Sequence, residues 1–226
     1  MTDTHHTSTD ANDVTLIDAI DPDVRARLAS RRGIFERAAA KLGAAATAPA
    51  ILAVATTEAF GQAPGEVAEI LNFALTLEYL EAEFYRAALS TPGLIPARYR
   101  AVFSTIGRHE VEHVHTLRGA LGSAAIASPR FDFTGKGQFP TVFSDFQTFA
   151  AVSSTFEELG VAAYKGQAPN LLGTPTLTVA LRIHSVEARH AAEVRRVRGL
   201  LGFDGPLDAP KTKLEVLSAA GPFIAS

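Results

Sequence analysis

Two short stretches of this chain carry the same residue types at the same spacing: Glu110-Val111-Glu112-His113 and Glu187-Ala188-Arg189-His190. A Glu and a His three residues apart lie on one face of a helix and can point at one spot. Two helices of that kind, each facing another helix that brings one inward Glu, furnish the ligand set of a dinuclear carboxylate metal site. Glu78 and Glu157 are the candidates for the two further carboxylates. Four carboxylates and two neutral imidazoles balance two divalent cations. Oxygen and imidazole ligands suit iron or manganese, admit zinc and disfavour calcium. Without such compensation, each carboxylate in a bundle core would cost several kcal/mol.

Helical periodicity selects these residues from their neighbours. The second helix offers two overlapping Glu-x-x-His readings. The register Phe103, Ile106, Glu110, His113, Leu117, Leu121 is otherwise apolar, whereas Thr105, Arg108, Glu112, His115 reads as a solvated face. In the fourth helix Ala180, Ile183, Glu187, His190, Val194, Val197 and Leu201 form one inward stripe, with His184 near enough to approach the site or serve structurally. In the third, Glu157 shares its stripe with Phe146, Ala150, Ser153, Gly160 and Tyr164, while Glu158 keeps small or polar company. The first helix is less decisive, because Glu78 and Glu81 both lie on the stripe Val67, Leu71, Ala74, Tyr85. Glu78 is preferred because Tyr85 then sits one layer along, within hydrogen-bonding reach of a ligand. Glu81 becomes a supporting group or an alternative ligand.

Four helices must position these side chains. Their expected spans are Gly65 to Leu89, Pro96 to Leu121 with Gly122 as its cap, Asp145 to Lys165, and a fourth from Thr174-Pro175 to Leu201 ending at Gly202. Short turns make the first two and the last two antiparallel hairpins. The link from Ser123 to Ser144 is long enough to cross back along the bundle, the requirement of an up-down-down-up arrangement. Its Phe131, Phe133, Phe139 and Phe143 could cover the bundle or form a homodimer contact. Pro129 to Phe133 is the one strand-like stretch, and the tail from Phe203 is expected to lie along the bundle. The organisation is thus a polar leader over 1–29, a signal or extra helix over 30–63, a bundle over 64–203, and a tail over 204–226.

With 226 residues the chain can build one well-cored domain plus tails. A hydrophobic fraction of 47% and a net charge of −3 argue against disorder and against a nucleic-acid partner. No basic cluster with interleaved aromatics occurs. The lack of cysteine excludes disulfides, thiolate metal sites and iron–sulfur clusters. Ser30-Arg31-Arg32-Gly33-Ile34-Phe35, followed by an Ala-rich run to Ala55, has the layout of a twin-arginine export signal, with Ala53-Val54-Ala55 as a cleavage site. Phe35 sits one place late for that signal and Glu36 brings charge into it, so the alternative is an amphipathic helix from Pro22 to about Leu42. The first reading implies a periplasmic or secreted protein, the second a cytoplasmic one. The run is too short to span a bilayer.

The chain resembles the ferritin-like superfamily, and more closely the branch of ferritin-like domain proteins that includes plant desiccation-related and fungal stress-response proteins. The likeness rests on Leu71 to Tyr85, the Glu110/His113 segment through Leu117, Phe156 to Tyr164, and Val186 to His190. Pro129 to Phe133 and Gly221-Pro222-Phe223-Ile224 fit that branch as well. The resemblance implies an all-α, ferritin-like four-helix bundle with one long crossover. It implies Glu78, Glu110, His113, Glu157, Glu187 and His190 as ligands of two metal ions. The expected chemistry is a redox reaction on oxygen or peroxide, with Tyr85 or Tyr164 able to carry a proton or a radical. The competing readings are a structural metal in a stress or envelope protein, ferroxidase-type iron handling, and hydroxylation of an organic substrate, which needs a roomy apolar pocket beside the metals.

Overall fold

The computed structural model describes residues 65–203 and 205–225; the polar leader and the segment of the expected export signal lie outside them. Four long helices run α1 Gly65–Ser90, α2 Ala97–Leu121, α3 Phe146–Gln167 and α4 Thr176–Val197. Short turns pair α1 with α2 and α3 with α4. Tyr99, in the first turn of α2, stacks on Phe146, the first residue of α3, with ring centroids 5.5 Å apart and planes 9° from parallel. The two helices therefore start at the same end, and the link between them retraces α2, a path of about 37 Å at 1.5 Å per residue. This is the expected bundle with one crossover. Among the described residues no helix is long and apolar enough to cross a membrane.

Local chemistry sets the helix ends. Asp145 caps α3, its carboxylate accepting from the Thr148 amide at 2.7 Å. Gly122 closes α2 with φ 56°, its N–H bonded to the Arg118 carbonyl. Two expectations for α4 require correction. The Thr174 hydroxyl donates to the Leu171 carbonyl at 2.7 Å, so it closes the preceding turn and does not cap the helix. At the other end α4 stops at Val197, because Gly199, at φ 78°, takes the left-handed position. The amides of Gly199 and Leu200 then bond back to Arg196 and Arg195, forming a Schellman closure one turn before Gly202. Leu201, expected on the inward stripe, is 72% exposed as a result.

The link covers the bundle. Phe131, Phe133, Phe139 and Phe143 pack against a core built on Phe84, Phe103, Phe149 and Phe156, where burying each aromatic ring contributes roughly 2 kcal/mol. Arg130–Phe131 (β1) pairs antiparallel with Ile224–Ala225 (β2) in the tail. A capping box of Thr212 and Glu215 starts a short helix, α5 (Lys213–Ala220), that buries Val216 and Ala220. Phe223 follows, stacked on Phe139 and edge-on to Phe156 at 4.8 Å. The turn leading into Phe139 needs Gly135 at φ 58°, since a Cβ there would meet the Phe223 ring at 3.1 Å.

A second apolar cluster, around Leu71, Leu75, Leu117, Leu121, Leu171 and Ile183, fills the opposite end. Each long helix passes from one cluster to the other, and the inward carboxylates lie on the turns between. Water is thereby kept out from both ends.

Candidate metal centre

The four carboxylates selected by periodicity, Glu78, Glu110, Glu157 and Glu187, are completely buried; His113 and His190 are nearly so. They converge as two overlapping groups. Glu78, Glu110, His113 and Glu187 form one, and Glu110, Glu157, Glu187 and His190 the other, with the ligand atoms of each within 4.8 Å of one another. Glu110 and Glu187 belong to both. Each helix pair thus offers one terminal carboxylate and one imidazole, while the two shared carboxylates stand between the two positions.

The tyrosines tie the pairs together crosswise. Tyr85, on α1, donates to Glu157 Oε1 on α3 at 2.5 Å, and Tyr164, on α3, donates to Glu78 Oε1 on α1 at 2.5 Å. Each Tyr stands seven positions after the Glu of its own helix and grips the Glu of the other. The sequence placed Tyr85 one layer from Glu78; the bundle sends its hydroxyl to Glu157, because the hydroxyl of a tyrosine two turns along reaches across the core.

Burial dominates the electrostatics. It pushes Glu78 up to about 8 against the pull of His113, and it holds Glu157 and Glu81 well above the ordinary carboxylate range. Burial would raise Glu187 too, but the close imidazoles of His113 and His190 bring it down to about 2. Burial alone would lower both imidazoles. Neighbouring carboxylates overcome it, Glu78 foremost for His113 and Glu110 foremost for His190, raising His113 strongly and His190 to about 12. So much charge in one dry cavity requires either protons or cations.

Hydrogen bonding supplies the test of whether cations fit. Both oxygens of Glu187, Oε1 of Glu110, Oε2 of Glu157 and Nδ1 of His190 are buried without an aligned hydrogen bond. Yet His190 Nδ1 stands 2.8 Å from Glu110 Oε1 and 3.3 Å from Glu157 Oε2. Polar atoms this close, and not aligned on a proton, are what a cation among them would satisfy. The donor set fits two divalent ions.

Three further residues complete the surroundings. Glu81 is a fifth buried carboxylate, its Oε2 without a partner among the described residues. It faces Gly160, where a Cβ would lie 3.3 Å from Glu81 Oε1, so the missing side chain makes its room. His184 stands outside both groups, and burial, then Lys165, lowers its pKa. His109, which the sequence reading passed over, lies against His190: its Nδ1 is 2.9 Å from His190 Nε2, with rings 5.2 Å apart and 19° from parallel. The spacing His109-x-x-x-His113 was the available signal, hidden because the stripe drawn through Glu110 skipped it. Burial first, then the two neighbouring imidazoles, lowers the His109 pKa.

His109 also lines a cavity of about 670 Å³ between α2 and α4, together with Val102, Ile106, Val186, His113 and His190. None of the four inward carboxylates lines it, so it meets the outer edges of the imidazoles and not the cluster behind them.

The ferritin-like domain family model matches residues 66–200, more than half of the chain and all four long helices, and the chain belongs to that family. No curated protein matches the chain.

Proposed function

We propose that this ferritin-like chain holds two divalent ions, iron or manganese, and carries out redox chemistry on oxygen or peroxide in stress protection. The observation that carries the reading is the sharing of Glu110 and Glu187 between two complete groups of buried ligands. A single ion would leave one terminal carboxylate and one imidazole without a partner. Bound as a pair, iron or manganese supplies two-electron exchange with a small oxidant.

The protein's residues have separable tasks in this reading. Glu78 and His113 hold one position, Glu157 and His190 the other, and Glu110 and Glu187 join them. Tyr85 and Tyr164 each donate one O–H to a terminal carboxylate, which fixes its orientation and keeps a proton beside the centre. The apolar clusters at both ends exclude water. The cavity of about 670 Å³ favours the same class of substrate, since an organic molecule lodged there would face imidazole edges and none of the four inward carboxylates. Arg31-Arg32 and the Ala-rich run after them support export, with stress protection in the cell envelope.

Elemental analysis after anaerobic reconstitution with ferrous or manganous ion tests the reading. About two equivalents in the wild type, absent in Glu110→Ala/Glu187→Ala, is the expected result. Less than half an equivalent with either metal would overturn it. With the metal identified, stopped-flow mixing with oxygen and with peroxide distinguishes the oxidants.

A further inference from the structure

The two halves of the centre are built alike but not backed alike. His190 presents Nδ1 to the carboxylates and turns Nε2 to His109, 2.9 Å away. His113 also presents Nδ1, to Glu78 at 3.1 Å and Glu110 at 3.0 Å, but its Nε2 has no partner among the described residues. The bundle's internal pseudosymmetry makes this a real difference. His109 stands four residues before His113 on α2; the corresponding residue, four before His190 on α4, is Val186. Both line the cavity between the helices. One imidazole therefore meets an imidazole, whereas the residue at the equivalent position of the other hairpin, Val186, cannot hydrogen-bond.

We infer that His109 is a positioning residue for His190: it accepts the Nε2–H, fixes the tautomer and ring angle that leave the Nδ1 lone pair to a metal, and makes the two metal positions unequal. An imidazole has one proton to place when neutral. When an ion displaces the Nδ1 proton, the remaining one is held on Nε2 by an acceptor, so Nδ1 alone is left to coordinate. His113 has no such restraint on its Nε2–H among the described residues. Outer hydrogen-bond partners of this kind change metal affinity by about 10–100-fold. The position built on Glu157 and His190 should accordingly fill first. The inference rests on the dinuclear reading above.

Cobalt(II) titration of the full chain against a chelating indicator tests it, with wild type, His109→Ala and His109→Asn compared. Asn is chosen because its side-chain oxygen can stand where Nδ1 does. Wild type should bind in two resolved steps. In His109→Ala the tighter step should weaken about 10–100-fold with the looser one unchanged, and His109→Asn should recover most of the loss. Proton NMR of the cobalt-loaded protein reads the bond itself. Of the two paramagnetically shifted imidazole N–H signals, the one from His190 should exchange slowly with solvent in wild type and rapidly in His109→Ala. Unchanged binding and unchanged exchange in His109→Ala would overturn the inference while leaving the dinuclear reading intact. Loss of both steps in both variants, with the metal-free melting temperature lowered, would assign His109 to folding and overturn it as well. A wild type that binds no cobalt overturns both readings together.

Discussion

The α1–α2 and α3–α4 hairpins are two versions of one device. Each has an inward Glu, a Tyr seven positions later that holds the other hairpin's Glu, and a Glu-x-x-His on the second helix. They differ at two places beside the centre. Where α1 has Glu81, α3 has Gly160; where α2 has His109, α4 has Val186. At the first place the glycine makes room for the opposite carboxylate, and at the second an imidazole is set behind only one of the two histidines. Shared features define where cations can sit. The differences decide that the two positions are not the same.

Removing ligands should break this comparison most sharply. Glu187→Ala deletes a carboxylate common to both groups and is expected to abolish binding of both ions. Glu78→Ala or Glu157→Ala should spare about one equivalent, read by elemental analysis on the same reconstituted samples. Equal loss in all three variants would refute the sharing.

The next largest effect is that of pH on the metal-free chain. Glu78, Glu81 and Glu157 keep protons when folded that the unfolded chain releases above 4.5, and His113 and His190 keep theirs beyond 6.5. In each case the folded state binds more protons, so stability falls as pH rises, through about 8 for Glu78 and toward about 12 for His190. Glu187 acts oppositely: its contribution is present above 4.5 and is lost as pH falls toward about 2. The melting temperature of metal-free protein should drop between pH 5 and pH 8 by on the order of 10 °C. Metal displaces those protons, so the loaded protein should show a flat or rising profile.

Smaller changes sharpen the two asymmetric places. Glu81→Gln removes one proton-demanding carboxylate. It should raise metal-free stability at pH 8 by roughly 1–3 kcal/mol in urea unfolding, and should do little at pH 4.5. The symmetric tyrosines should behave alike: Tyr85→Phe and Tyr164→Phe are each expected to cost about 1–3 kcal/mol, within error of one another. A clear inequality would show that the crossed bonds are not equivalent. Smallest of all, Val186→His places an imidazole at the α4 position equivalent to His109, on the cavity that His113 also lines. The looser cobalt step should tighten by up to about tenfold, bringing the two positions closer.

Much of the fold was legible because its signals are local. Glu110 and His113 could be told from Glu112 and His115 by the apolar company each register keeps, and burial follows that company. Asp145 and Gly122 end their helices as their backbone chemistry requires. The end of α4 was misread because two glycines, Gly199 and Gly202, offer the same signal and only the backbone angle of the first is committed. The Thr212–Glu215 capping box was readable but overlooked, since the helix it starts is too short to show a period. His109 escapes the sequence for a different reason: its partner is on another helix, and its spacing to His113 falls off the stripe drawn through Glu110.

What the sequence determined by itself is the set of inward carboxylates and imidazoles, the helices that carry them and the need for a crossover. Each follows from short-range periodicity and from the cost of burying charge. Which tyrosine holds which glutamate, which carboxylates are shared, and which histidine is backed by another were decided only by the tertiary structure. Those relations depend on how side chains from separate helices meet across a closed core, and such meetings are set by helix direction and packing.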